Sequence, residues 1–139
     1  FFNVACSGNE DIKIGNFQFC NYKSPYGPSI VDINALKESN SQHSVIFLSL
    51  DNIFTLIGED RINFLKCDIE GGEFDFFYGK DISRIDVISM ELHRGCLGKK
   101  VKELLRHFEK SGFKAHHLST KTNGECLFIN KEAMKRVSL

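Results

Sequence analysis

INFLKCDIEGGEFDFFYG, residues 62–79, reads as a strand, a sharp turn and a helix in succession. Ile62, Phe64, Leu65 and Cys67 make a short apolar run suited to a buried strand of an α/β sheet. Gly71 and Gly72 let the backbone turn tightly and let a ligand come close. Phe74, Phe77 and Tyr78 then recur at i, i+3 and i+4, one face of a helix. Asp68 and Glu70 fall at the carboxyl end of the strand, where open α/β sheets hold their ligands.

The alternation continues on both sides of this unit. Ile85–Leu92 is a second buried strand. Lys99–Ser111 carries Val101, Leu104, Leu105 and Phe108 at i, i+3, i+4 and i+7, an apolar stripe that should pack on a sheet, and Gly112 ends it. Phe113–Leu118 and Glu125–Asn130 are strands, and Asn123-Gly124 between them predicts a hairpin turn. Upstream, Ser44–Leu50 is a strand, and Asp51 caps a short helix that buries Ile53, Phe54 and Ile57 before Gly58 stops it. Ile12, Ile14, Phe17 and Phe19 alternate around Gly15-Asn16, a hairpin pattern, and Phe1–Cys6 is a further short strand. Asn21–Gln42 is rich in turn residues and reads as a surface loop, with a substrate lid as the alternative. The expected class is α/β, one domain over residues 1–139, closing on a C-terminal β-hairpin.

Two pairs of residues could carry chemistry. Asp68 and Glu70, two apart at a strand end, can converge on a metal, a base role or a hydroxyl-bearing ligand. Pairing of Asp68 with Lys66 is the structural alternative, and Glu70 can instead cap the following helix. For Glu70 and Glu73 both readings stay open. Glu91 and His93 share one face of the second strand, so Asp68, Glu70, Glu91 and His93 would cluster at one sheet edge if the strands are neighbours. A hydrogen-bonded strand-end histidine is the alternative for His93. His116 and His117 point to opposite faces and make poor joint ligands, His43 and His107 read as surface residues, and Cys67 faces the core.

The segment LKCDIEGGE at residues 65–73, followed by ISMELH at residues 88–93, resembles the FkbM family of S-adenosylmethionine (SAM)-dependent methyltransferases. The resemblance implies a class I methyltransferase-like, Rossmann-like sheet. It also implies O-methylation of a hydroxyl on a small molecule or sugar. Asp68, Glu91 and His93 would then be catalytic, with His93 or a carboxylate taking the hydroxyl proton, and Glu70 and Gly71 are candidates to touch the cofactor. The family's glycine-rich SAM turn and the acidic residue that binds the ribose have no counterpart here, since no G-x-G occurs. The resemblance therefore implies an N-terminally truncated domain that binds SAM weakly or not at all by itself. It further implies that residues 62–69 have lost the strand that would cover their edge, leaving an edge open to self-association. Two other readings remain: a non-catalytic, degenerate methyltransferase-like interaction domain, and a metal hydrolase built on Asp68, Glu70, Glu91 and His93. No metal is assigned.

Composition narrows the partners. Eighteen basic residues balance eighteen acidic ones, so nothing suggests a nucleic acid or an anionic membrane surface. Cys6, Cys20, Cys67, Cys96 and Cys126 are scattered and odd in number, which argues for reduced thiols rather than a disulfide framework or a zinc site. No signal peptide or membrane-length apolar run is visible. The cytoplasm is the default setting, and because the chain begins at Phe1 rather than Met, a targeting or anchoring segment upstream is a further expectation. Thirteen phenylalanines and no tryptophan read as core filling.

Overall fold

The computed structural model describes residues 4–6, 13–18, 42–69 and 71–137. The described elements are β1 (Val4–Cys6), β2 (Lys13–Gln18), β3 (Gln42–Leu48), α1 (Leu50–Ile57), β4 (Ile62–Cys67), α2 (Glu73–Phe77), β5 (Ile85–His93), α3 (Arg94–Leu97), α4 (Lys100–Lys110), β6 (Phe113–Leu118), β7 (Asn123–Asn130) and α5 (Lys131–Val137). They form a mixed α/β fold with two sheets, one ordered β1-β3-β2 and the other β4-β5-β7-β6. In the larger sheet β4 and β5 are parallel, with Cys67 opposite Met90, while β5–β7 and β7–β6 are antiparallel.

One face of the larger sheet carries the core. Cys67 of β4, Ile88, Met90 and Leu92 of β5, and Cys126 and Phe128 of β7 are all buried. Phe76 and Phe77 of α2 and Val101, Leu104 and Phe108 of α4 belong to the same buried cluster. Phe108 is the hub: its ring meets Phe77 edge-on at 5.3 Å and Phe128 edge-on at 4.7 Å, geometry that suits the aromatic quadrupole. The apolar stripe of α4 is thus the core stripe that its spacing predicts. Leu104 is 1% exposed, so Leu104→Ala should cost about 2–5 kcal/mol in urea denaturation; a loss below about 0.5 kcal/mol, the usual range of surface substitutions, would mean that α4 does not hold the core.

Several local expectations are corrected. The pattern around Gly15-Asn16 is not a hairpin: β2 is one continuous strand, with Gly15 opposite Val45 and Asn16 opposite Ser44 of the distant β3. Helix α1 is capped by Ser49 rather than Asp51. The Ser49 hydroxyl accepts from the Asn52 N–H at 3.1 Å, and the Asn52 side chain accepts from the Ser49 N–H at 2.9 Å, a capping box in which Asn stands where Glu or Gln is usual. Leu50 and Phe54 are its buried residues, and Ile57 is exposed. In α2 the buried side chains are Glu73, Phe76 and Phe77, whereas Phe74 stacks on the exposed Tyr78 at 4.3 Å. Phe64 is 58% exposed because β4 pairs, among the described residues, only with β5 and is covered on one face. Val4–Cys6 pairs with β3, so, as the sequence leads one to expect, that strand does not cover the edge of β4.

At the C-terminal hairpin, Asn123 and Gly124 lie inside β7, opposite His93 and Leu92 of β5, and the reversal falls at residues 119–122. Gly124 serves close approach rather than a turn conformation, since a Cβ there would sit 2.1 Å from the Ser119 hydroxyl. Helices α3 and α5 are additions that the sequence pattern does not mark. Asn130 starts α5: its side-chain oxygen accepts from the Glu132 N–H at 2.9 Å, and its amide donates to the carbonyls of Ser83 and Ile85. The loop at residues 21–41, Cys20, and the FFN of the first strand lie outside the described residues.

Candidate functional site

Parallel pairing of β4 with β5 is what builds the site. With Cys67 opposite Met90, the next step of the register sets Asp68 beside Glu91, across a spacing of about 4.8 Å. Glu91 and His93, two apart on β5, project from the same face. Ligand-type atoms of Asp68, Glu91 and His93 accordingly lie within 4.8 Å of one another. Asp68 is exposed, Glu91 is half-buried and His93 is buried. Asp68 therefore does not need a partner to offset burial. Among the described residues, no ion pair joins it to Lys66. Across β5, antiparallel pairing puts Glu125 opposite Glu91, so this exposed carboxylate extends the acidic row on the same face. Glu70 lies outside the described residues.

Beneath this edge sits a buried pair. Glu73 is 0% exposed and His93 2%, and Glu73 Oε1 lies 2.6 Å from His93 Nδ1. The same oxygen accepts from the Gly71 N–H at 3.1 Å, while Oε2 is buried with no hydrogen-bond partner among the described residues. Sequence periodicity cannot find this contact, since it joins a helix start to a strand end twenty residues on, and only the β4–β5 crossover brings them together. Gly71 has φ +100, and a Cβ there would stand 2.9 Å from the Cβ of Cys96. The space beside Gly71 is thus filled by α3, and the turn is locked against it.

The remaining candidates scatter. His107 is not a plain surface residue: Nε2 is 3.0 Å from the Lys80 carbonyl oxygen, and its ring lies beside Tyr78. His116 and His117 are both exposed on edge strand β6, where a register shift breaks the pairing. His43 lies in β3. Cys67 and Cys126 are buried and Cys96 is exposed, and burial pushes the Cys126 thiol up, away from a nucleophile's range. Among the described residues no helix is long and apolar enough to cross a membrane.

A cleft of about 480 Å3, lined by Asn63, Asp86, Val87, Ile129, Met134 and Arg136 among others, lies at the amino ends of β4 and β5, away from these groups. There Asp86 receives Arg61 and Arg136. Partial burial pulls its carboxyl up, but the hydrogen bonds and charges of the two arginines outweigh this and hold its pKa below the ordinary 3.8. A depressed carboxylate contributes stability above its unfolded pKa of about 3.9 and loses it as pH falls through the lower folded value. The stability gap between the protein and Asp86→Asn in urea should therefore be full at neutral pH and shrink below about pH 4. A gap independent of pH would contradict this.

A family model described as the methyltransferase FkbM domain matches residues 5–115, which include Asp68, Glu73, Glu91 and His93. Comparison with curated proteins and with solved structures finds no match.

Proposed function

The chain belongs to the FkbM methyltransferase family, and from that premise we propose that it transfers a methyl group from SAM to a hydroxyl oxygen of a small molecule or sugar. The observation that carries this reading is the convergence of Asp68, Glu91 and His93 at the carboxyl ends of two parallel strands. The strand order β4-β5-β7-β6 supports reading this sheet as the second half of a class I methyltransferase sheet.

SAM supplies an electrophilic methyl on its sulfonium. A neutral hydroxyl that attacks it must lose its proton, and the chain offers acceptors for that proton. His93 is the stronger candidate base, being a histidine held by a buried carboxylate. Asp68 and Glu91 accept hydrogen bonds from hydroxyl or ammonium groups of the ligands and so fix the attacking oxygen, which is where much of the rate enhancement arises. The balanced charge of the chain accords with a small neutral acceptor rather than a nucleic acid.

One observation favours a second reading: the three donor atoms are close enough together to share a divalent cation. Methyl-labelled SAM incubated with a panel of sugars and small hydroxyl compounds tests both. Under the base reading, the label appears on an acceptor oxygen and its rate is unchanged by a chelator. Loss of transfer on chelation, restored by added metal, would replace the base with a metal-bound acceptor.

A further inference from the structure

Glu73 touches the site only through His93 and the Gly71 turn. A carboxylate with 0% exposure, one oxygen in contact with two nitrogens and the other without a partner among the described residues, is a costly arrangement. As a helix-start acid it has no value that an exposed Glu would not supply better, and α2 is only five residues long. Its geometry makes sense with respect to His93. A neutral imidazole carries one N–H and one lone pair, and an ionised carboxylate only accepts. The Gly71 N–H, donating to the same Oε1 at 3.1 Å, favours acceptor character at that oxygen. An ionised carboxylate in the 2.6 Å contact calls for the proton on Nδ1, which puts the basic lone pair on Nε2.

We propose that Glu73 is the positioning residue of the site, fixing His93 as the Nδ1–H tautomer through the fully buried Oε1–Nδ1 contact and tying that contact to the glycine turn through Gly71. The inference rests on the reading of His93 as the base, but it concerns the resting protein and needs neither SAM nor acceptor. The role is indirect: Glu73 acts on the ligand only through the ring it orients.

Nitrogen-15 NMR of the protein labelled at histidine reads the tautomer directly, with His93 assigned by the signals missing from His93→Gln. At a pH where the ring is neutral, His93 should carry its proton on Nδ1, and that proton should lie far downfield, as expected of a short bond to a carboxylate. In Glu73→Gln the Gly71 N–H keeps the amide oxygen facing the ring, so the Nδ1–H tautomer should persist while its proton moves upfield. In Glu73→Leu the tautomer should be lost to Nε2–H. An Nε2–H tautomer in the unmodified protein, or an Nδ1 proton that does not move in Glu73→Gln, would overturn the proposal; these two readings suffice if Glu73→Leu does not fold. Because no ligand is present, a failure here leaves methyl transfer standing, and failed methyl transfer leaves the tautomer result standing.

Discussion

His93→Leu should destabilise the fold by about 1–3 kcal/mol or more at neutral pH, the cost of leaving a buried carboxylate without its hydrogen-bond donor. Glu73 is completely enclosed, and its Oε2 has no partner among the described residues even with His93 present. Leucine would leave the buried carboxylate with the Gly71 N–H alone among the described residues. The double variant His93→Leu/Glu73→Leu should recover most of that loss, since apolar replacement of a whole buried pair is often neutral or better. The two substitutions should thus be strongly non-additive, as contacting residues are. Urea denaturation of the two single variants and the double variant measures this. Equal, additive losses would mean that the 2.6 Å contact contributes no coupling.

The second large effect is kinetic. His93→Gln should lower the rate of methyl transfer by about 10²–10⁴-fold, the usual contribution of a positioned acid or base. Glutamine can still donate to Glu73, so this variant keeps the buried carboxylate satisfied and separates chemistry from folding. Transfer of tritium-labelled methyl to the acceptor found in the panel gives the rate. A rate within about twofold of the unmodified protein, far short of a base's usual contribution, would remove His93 from the reaction.

What the sequence reveals and what it hides divide along the line between local and non-local forces. The α4 stripe and the β5 run are long enough for their period to be counted, and both are seen where the spacing puts them. The E-x-H spacing alone sets Glu91 and His93 on one strand face. In contrast, FDFFY is too short to assign a helical face: stripes through Phe74 or through Phe76 fit equally well, and the core selected Phe76 and Phe77. Gly15-Asn16 and Asn123-Gly124 both carry turn chemistry, yet each lies in a ladder because a partner strand distant in sequence is worth more than a local turn. The Ser49–Asn52 box is missed when Glu or Gln is required at its third position. Glu73 with His93 is wholly tertiary. No spacing rule links them, and the buried half of the site is the half that the sequence does not show.

The most direct test is a structure of the protein with S-adenosylhomocysteine and its acceptor bound. The acceptor hydroxyl is expected within hydrogen-bond reach, about 2.6–3.2 Å, of His93 Nε2 or of the Asp68 or Glu91 carboxylate, at the carboxyl ends of β4 and β5. An acceptor seated instead in the cleft of Asn63, Asp86 and Met134, at the amino ends of the same strands, would contradict the assignment of this edge as the place where the methyl is transferred.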